Sequence, residues 1–94
     1  MFEIQVNTEG DILLSGRFDA AQVARAKEVL DHIDSGCNVD FKDLNYISSA
    51  GLGELLSVQK RLMNSGSGLR LINLNEHIHD IFRFAGFDKV FEIG

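Results

Sequence analysis

Three times along this chain of 94 residues an extended apolar run gives way to a stretch with apolar residues at helical spacing, and each time another extended run follows. Strand–helix–strand units of this kind require parallel pairing, because the helix carries the chain back across the sheet, and such crossovers are right-handed in nearly all proteins. Ahead of them Phe2, Ile4 and Val6 alternate with Glu3, Gln5 and Asn7, and the triplet Thr8, Glu9 and Gly10 makes a turn. A second strand over residues 12–15 then pairs antiparallel with the first, because so short a turn leaves no room for a crossover. The order β-β-α-β-α-β-α-β defines a small α/β fold: a mixed sheet with an N-terminal hairpin followed by right-handed βαβ units.

The spacing predicts a first helix over residues 20–34, with Val23, Ala26, Leu30 and Ile33 on its apolar side. Asp19 and Gln22 form an acidic version of a capping box at its start, and Gly36 is placed to end it in the left-handed conformation. The third strand begins over residues 38–41 and extends toward Ile47. Leu52, Leu55, Leu56, Gln59, Leu62 and Met63 mark one face of a second helix that stops near Asn64. Leu69, Leu71, Ile72 and Leu74 read as a fourth strand in a covered part of the sheet. Asn75 caps a third helix carrying Ile78, Ile81, Phe82 and Ala85, which Gly86 ends, and residues 90–93 close the chain as a strand. Phe84 falls off the apolar face of that helix.

No proline and no linker-like segment interrupts residues 1–94, which read as one domain. A domain of this length buries somewhat over ~60% of its unfolded surface, enough for one core but not for an enclosed active site with a lid. With 9 Lys and Arg against 14 Asp and Glu, the formal charge is −5, and the basic residues do not cluster. Nucleic-acid backbones are thereby excluded as partners, since binding them depends on grouped cations that release counterions. The single Cys37 permits neither an internal disulfide nor a cysteine-based zinc site, and reads as an inert packed thiol. The start of the chain alternates polar and apolar residues, and no stretch approaches the ~18 apolar residues of a membrane span. The expected location is the cytoplasm, without a membrane partner.

Residues 43–53, Asp-Leu-Asn-Tyr-Ile-Ser-Ser-Ala-Gly-Leu-Gly, carry the change from extended to helical pattern. A helix start has backbone N–H groups without intrahelical partners and the positive end of the helix dipole, so it favours oxygen ligands and negative charge. Ser48 and Ser49 both lie where such an oxygen belongs, and either hydroxyl suffices as a plain N-cap. Gly51 and Gly53 ask for more than capping, because each weakens the helix by roughly 1 kcal/mol relative to Ala in the turn where it must start. Close approach of another backbone or of a partner is the physical reason to tolerate them.

At these residues the chain resembles the STAS domain family of bacterial anti-sigma-factor antagonists, whose signature is an extended Asp-Leu segment followed by Asp-Ser-Ser-Gly-Leu-Gly or a close variant opening a helix. Here Asp43-Leu44 is followed by Ser48-Ser49-Ala50-Gly51-Leu52-Gly53, and Gly16-Arg17-Phe18-Asp19 resembles the family's Gly-x-Leu-Asp segment. Ser48 stands where the family usually has Asp, and Ala50 where it has a second Ser or Thr. The element order matches over nearly the whole chain. The resemblance implies a STAS-like fold and an anti-sigma-factor partner with serine kinase activity, which phosphorylates the position equivalent to Ser49 and so switches the protein off. Sites in parallel sheets form outside the carboxyl ends of the strands, so the loops at residues 16–19, 45–51 and 73–76 are expected to share one working edge. The partner-binding set is then Arg17, Asp19, Ser48, Ser49, Ala50, Gly51, Leu52 and Gly53. Asp19 serves equally as a helix cap or as a recognition residue. The alternative reading is a STAS-like interaction subunit of a larger signalling or transport assembly that is never phosphorylated, in keeping with Ser48 in place of Asp.

Enzymatic motifs are absent around the joint. Ile47 occupies the position where a nucleophile elbow needs Gly, there is no phosphate-binding Gly-Lys-Ser/Thr loop, and Gly51-Leu52-Gly53 lacks the third glycine of a dinucleotide turn. No catalytic residue and no cofactor is expected, although two glycines and free N–H groups at a helix start are also compatible with weak nucleotide binding near Ser49. His77 and His79 project about 200° apart on a helix and do not chelate one metal, unlike an i,i+4 pair. With His32 on another helix, no metal site is expected.

Overall fold

All five strands belong to one sheet, in the spatial order in which the chain makes them. The computed structural model describes residues 1–94. Strand β1 (Phe2–Val6) pairs antiparallel with β2 (Ile12–Phe18), and β2, β3 (Cys37–Ile47), β4 (Leu69–Ile72) and β5 (Glu92–Ile93) run parallel to one another. Helices α1 (Val23–Leu30), α2 (Ser49–Met63) and α3 (Glu76–Phe84) connect the parallel strands. Each crossover steps in the same direction across the sheet, so right-handed connections bring all three helices to one face.

That one-sided cover is written in the burial of the strands. Phe2 and Ile4, Ile12, Leu14 and Phe18, Val39, Phe41, Leu44 and Ile47, and Leu69 and Leu71 are buried toward the helices. Their neighbours Leu13, Asp40 and Ile72 on the other face are only partly shielded. The apolar fourth strand therefore alternates after all: it is covered on one side, and Leu74 lies beyond its end. From the helices, Ala26, Leu30, Leu52, Leu55, Val58, Leu62, Ile78 and Phe82 complete the core. Phe82 meets Phe41 edge-on at 5.8 Å and Phe91 at 5.7 Å, an arrangement favoured by the ring quadrupoles.

The buried stripe of α2 is Leu52, Leu55, Val58, Gln59 and Leu62. Leu56 is half-buried, Met63 is exposed and Val58 is buried, so the expected face holds at Leu52, Leu55, Gln59 and Leu62, misses Val58 and is too generous at Leu56 and Met63. Gln59 belongs among the apolar residues because both ends of its amide are used. Its Oε1 accepts the Leu69 N–H at 2.7 Å, and its Nε2 donates to the Val90 carbonyl at 2.8 Å. A buried amide satisfied in this way incurs no uncompensated desolvation.

Several boundaries move for identifiable reasons. A short 3-10 turn, Ala20–Gln22, precedes α1, which ends at Leu30 instead of reaching Asp34. Arg61 of α2 donates to the carbonyls of Leu30 and Ile33, at 2.9 and 2.6 Å, and so satisfies the helix end from outside. Gly36 is not left-handed. It is glycine because a β-carbon there would lie 2.6 Å from the Gly68 carbonyl oxygen. Strand β2 runs on to Phe18 through Gly16, at φ +82°, where any β-carbon would strike the Met1 carbonyl. Residues Phe87–Lys89 form a 3-10 turn, which shortens β5 to Glu92–Ile93, and Phe84 is 82% exposed.

Candidate functional site

The carboxyl ends of β2 and β3 lie side by side, with Arg17 opposite Tyr46 and Phe18 opposite Ile47. Immediately beyond them the Ser48 N–H donates to the Phe18 carbonyl at 2.8 Å, fastening the start of α2 to the end of β2. Ser48 has extended backbone angles, φ −86° and ψ 168°, and its Oγ accepts the Gly51 N–H at 3.1 Å. It is the N-cap. Ser49 is the first residue of the helix and is exposed, with its hydroxyl not drawn into the cap.

The two glycines differ in kind. A β-carbon on Gly51 would sit 3.1 Å from Phe18 Cγ, from the Phe18 carbonyl oxygen and from Ile47 Cγ1, so the helix start is pressed onto both strand ends. Gly53 has nothing within 4 Å of such an atom. It lies four residues beyond Ser49, on the same side of the helix, and leaves the backbone beside that hydroxyl uncovered. Ala50 is exposed next to it, whereas Leu52 is buried and contributes packing.

Asp19 accepts the Ala21 N–H through Oδ1 at 3.2 Å and caps the 3-10 turn, but Gln22 returns no capping bond, so the expected capping box is half built. The Arg17 guanidinium lies over the Tyr46 ring, 4.1 Å from its centroid, in a cation–π contact that holds a charged head at this edge. Tyr46 was not distinguishable in the sequence as its support; the pairing follows from the register shifts in β2 and β3. The third expected loop falls short of this edge. Strand β4 ends opposite Asp40 while β3 continues to Ile47, so Asn73 Nδ2 donates to Asp40 at 3.1 Å and Asn75 reaches only the Leu44 carbonyl. Asn75 Oδ1 also accepts the Ile78 N–H at 2.9 Å, which makes it the cap of α3.

A charged pair lies behind the edge. Glu54 of α2 is almost fully buried against α1, with Oε1 2.9 Å from Lys27 Nζ and Oε2 without a partner. The hydrogen bond that Lys27 donates to Glu54, and then the negative charge of Glu54, raise the Lys27 pKa above its ordinary value. The sequence carries no signal for this pair, because Glu54 lies beside the apolar stripe of α2 and is buried by α1. Cys37, half-buried at the start of β3, has its pKa raised by burial and then by Asp11, which keeps the thiol neutral and unreactive. None of the three cavities in the molecule is lined by residues 44–53, so the Ser49 edge is a surface and not a cleft.

Comparison with known proteins agrees with this architecture. A family model described as "Mlab, STAS domain" matches residues 4–93, and the chain belongs to the STAS domain family. Its relatives include the anti-sigma-B factor antagonist of Bacillus subtilis, 32% identical over 92 residues, which covers 97% of this chain and 81% of the relative. The anti-sigma-B factor antagonist of Listeria monocytogenes is 29% identical over 87 residues, covering 88% of this chain and 76% of the relative. Among solved structures, the anti-sigma factor antagonist SpoIIAA in its unphosphorylated form superposes with a TM-score of 0.74 at 16% identity, covering all of this chain and 87% of the other. The phosphorylated form of Bacillus SpoIIAA gives 0.72 at 17% identity, covering all of this chain and 91% of the other. At these identities the structural likeness establishes the fold: a small five-stranded mixed sheet with three helices. No helix is long and apolar enough to cross a membrane.

Proposed function

We propose that this chain acts, as a single cytoplasmic domain without catalytic activity of its own, as an anti-sigma-factor antagonist. It binds an anti-sigma factor through the edge made by Arg17, Asp19 and residues 48–53, and so frees the sigma factor. The observation that carries this reading is the division of labour between the two serines: Ser48 takes the cap, leaving Ser49 exposed at the helix start. Gly53 adds to it, as a helical glycine with open space around it, where a partner gains close approach to the backbone.

Phosphorylation of Ser49 by the partner, acting as a serine kinase, is the off switch. The added charge of about −1.5 to −2 is favoured by the dipole of α2, so the domain stays folded while a surface adapted to a neutral hydroxyl meets unpaired negative charge. Such mismatched contacts cost several kcal/mol, or more than about a hundredfold in affinity. Calorimetric titration of the anti-sigma partner with the unmodified chain and with the chain carrying phosphoserine at position 49 tests this. Binding by the first and loss of about a hundredfold or more by the second is the expected pair of results. Equal affinities remove the switch.

The alternative, an interaction subunit that is never phosphorylated, draws on Ser48. Its neutral hydroxyl fills the cap position where the family pattern has Asp, so an acidic mark beside the target serine is missing. Retained partner binding together with failure of the kinase to modify Ser49 selects that reading.

A further inference from the structure

The largest cavity, about 330 Å³, opens at the end of the sheet where β3 begins, away from the Ser49 edge where β3 ends. Its apolar part is formed by Val6, Val29, Ile33 and Cys37, from the hairpin, the end of α1 and the first residue of β3. The neutral Cys37 thiol behaves there as a small apolar group. Around these lie the carboxylates of Glu9, Asp11 and Asp34. Asp11 is committed to the fold, accepting the Asn38 N–H at 3.1 Å. Glu9 and Asp34 are exposed and take part in none of the four ion pairs.

No Lys or Arg lines the cavity. Arg61, the nearest in the hydrogen-bond network, is occupied with the carbonyls of Leu30 and Ile33, and His32 engages the Glu28 carbonyl through Nδ1. An anion would face three carboxylates with no Lys or Arg among the lining residues, and a neutral polar molecule would leave the two free carboxylates unused. The volume lies at the lower end of the ~300–1,000 Å³ range of small-molecule sites.

We infer that this cavity binds a small organic cation with an apolar body, an aryl- or alkylammonium compound. Its apolar part rests on Val6, Val29, Ile33 and Cys37, and its ammonium group faces Glu9 and Asp34. The site is separate from the Ser49 edge and does not depend on the function proposed for that edge.

The test follows amide shifts of the full chain by NMR during titration with phenethylammonium chloride, with 2-phenylethanol as its neutral counterpart and 3-phenylpropionate as its charge-reversed one. The expected result is saturable shifts centred on Gly10, Ile33 and Cys37 with the cation, about tenfold weaker binding of the alcohol, and no binding of the acid. The double variant Glu9→Gln, Asp34→Asn alters two exposed, unpaired side chains; it should keep the native spectrum and bind the cation about tenfold more weakly. Absence of saturable shifts, equal binding of all three compounds, unchanged affinity in the double variant, or shifts that map to the Ser49 edge would overturn the inference.

Discussion

A β-carbon at Gly51 would lie 3.1 Å from the Phe18 carbonyl oxygen, the same oxygen that receives the Ser48 N–H at 2.8 Å. The first turn of α2 is thus pressed onto the end of β2, and the two glycines of that turn should respond oppositely to a methyl group. Gly53→Ala adds its β-carbon in open space and should stabilise the protein by about 1 kcal/mol through helix propensity. Gly51→Ala gains the same propensity but pushes on Phe18 and Ile47, and should give no net stabilisation. Urea denaturation of both variants measures the contrast, and equal gains would mean that the contact with Phe18 is not tight.

Leu55 is completely buried on the stripe of α2 that faces the sheet. Leu55→Ala should therefore cost about 2–5 kcal/mol, the transfer loss together with a residual cavity. Equilibrium denaturation reads this directly. A loss below about 0.5 kcal/mol is the behaviour of a surface position and would contradict the helix phase.

Lys27 and Glu54 supply a prediction in pH. The folded-state pKa of Lys27 lies above its ordinary value of 10.5, so its ammonium contributes stability that is fully present below that value and is lost as pH rises through the folded one. Wild type should lose stability in this alkaline window, and Lys27→Met should lack that component. At neutral pH Lys27→Met leaves the Glu54 carboxylate buried without its cation and should unfold at lower denaturant, while Lys27→Met combined with Glu54→Leu should recover the loss. Denaturation midpoints from neutral to alkaline pH decide it; no difference between wild type and Lys27→Met would mean that the pair contributes nothing.

Asp19 caps the turn before α1 and also lies in the loop beside the Ser49 edge. Asn caps as well as Asp, so Asp19→Asn should leave stability nearly unchanged. A role in recognition predicts at least about tenfold weaker binding of the anti-sigma partner, a loss of about 1.4 kcal/mol. Unchanged affinity in the calorimeter would leave Asp19 as a cap alone.

The element order was legible because alternation and helical spacing report which side of each element is buried, and one buried face decides both. The joint at residues 43–53 was legible because hydroxyls mark the start of a helix, and glycines that weaken its first turn mark a place of close approach. What the sequence hid depends on distant partners. The early end of α1 depends on Arg61, and Gly36 is constrained by Gly68 across the fold. Residues 73–76 were expected at the working edge because sites in parallel sheets form outside the carboxyl ends of the strands, whereas β4 stops opposite Asp40 and β3 runs on to Ile47. The burial of Glu54 is hidden for the same reason, since it comes from the tertiary packing of α1 on α2.

The central claim is that Ser49, and not its neighbour, receives the phosphate. Ser48→Ala removes a cap worth about 1 kcal/mol and should leave the domain folded, so both serines can be tested in native protein. The direct measurement is incubation of wild type, Ser48→Ala and Ser49→Ala with the partner kinase and ATP, followed by mass spectrometry. The account predicts a single phosphate on wild type and on Ser48→Ala and none on Ser49→Ala; a phosphate lost only in Ser48→Ala, or none on any chain with a proven partner kinase, would contradict it.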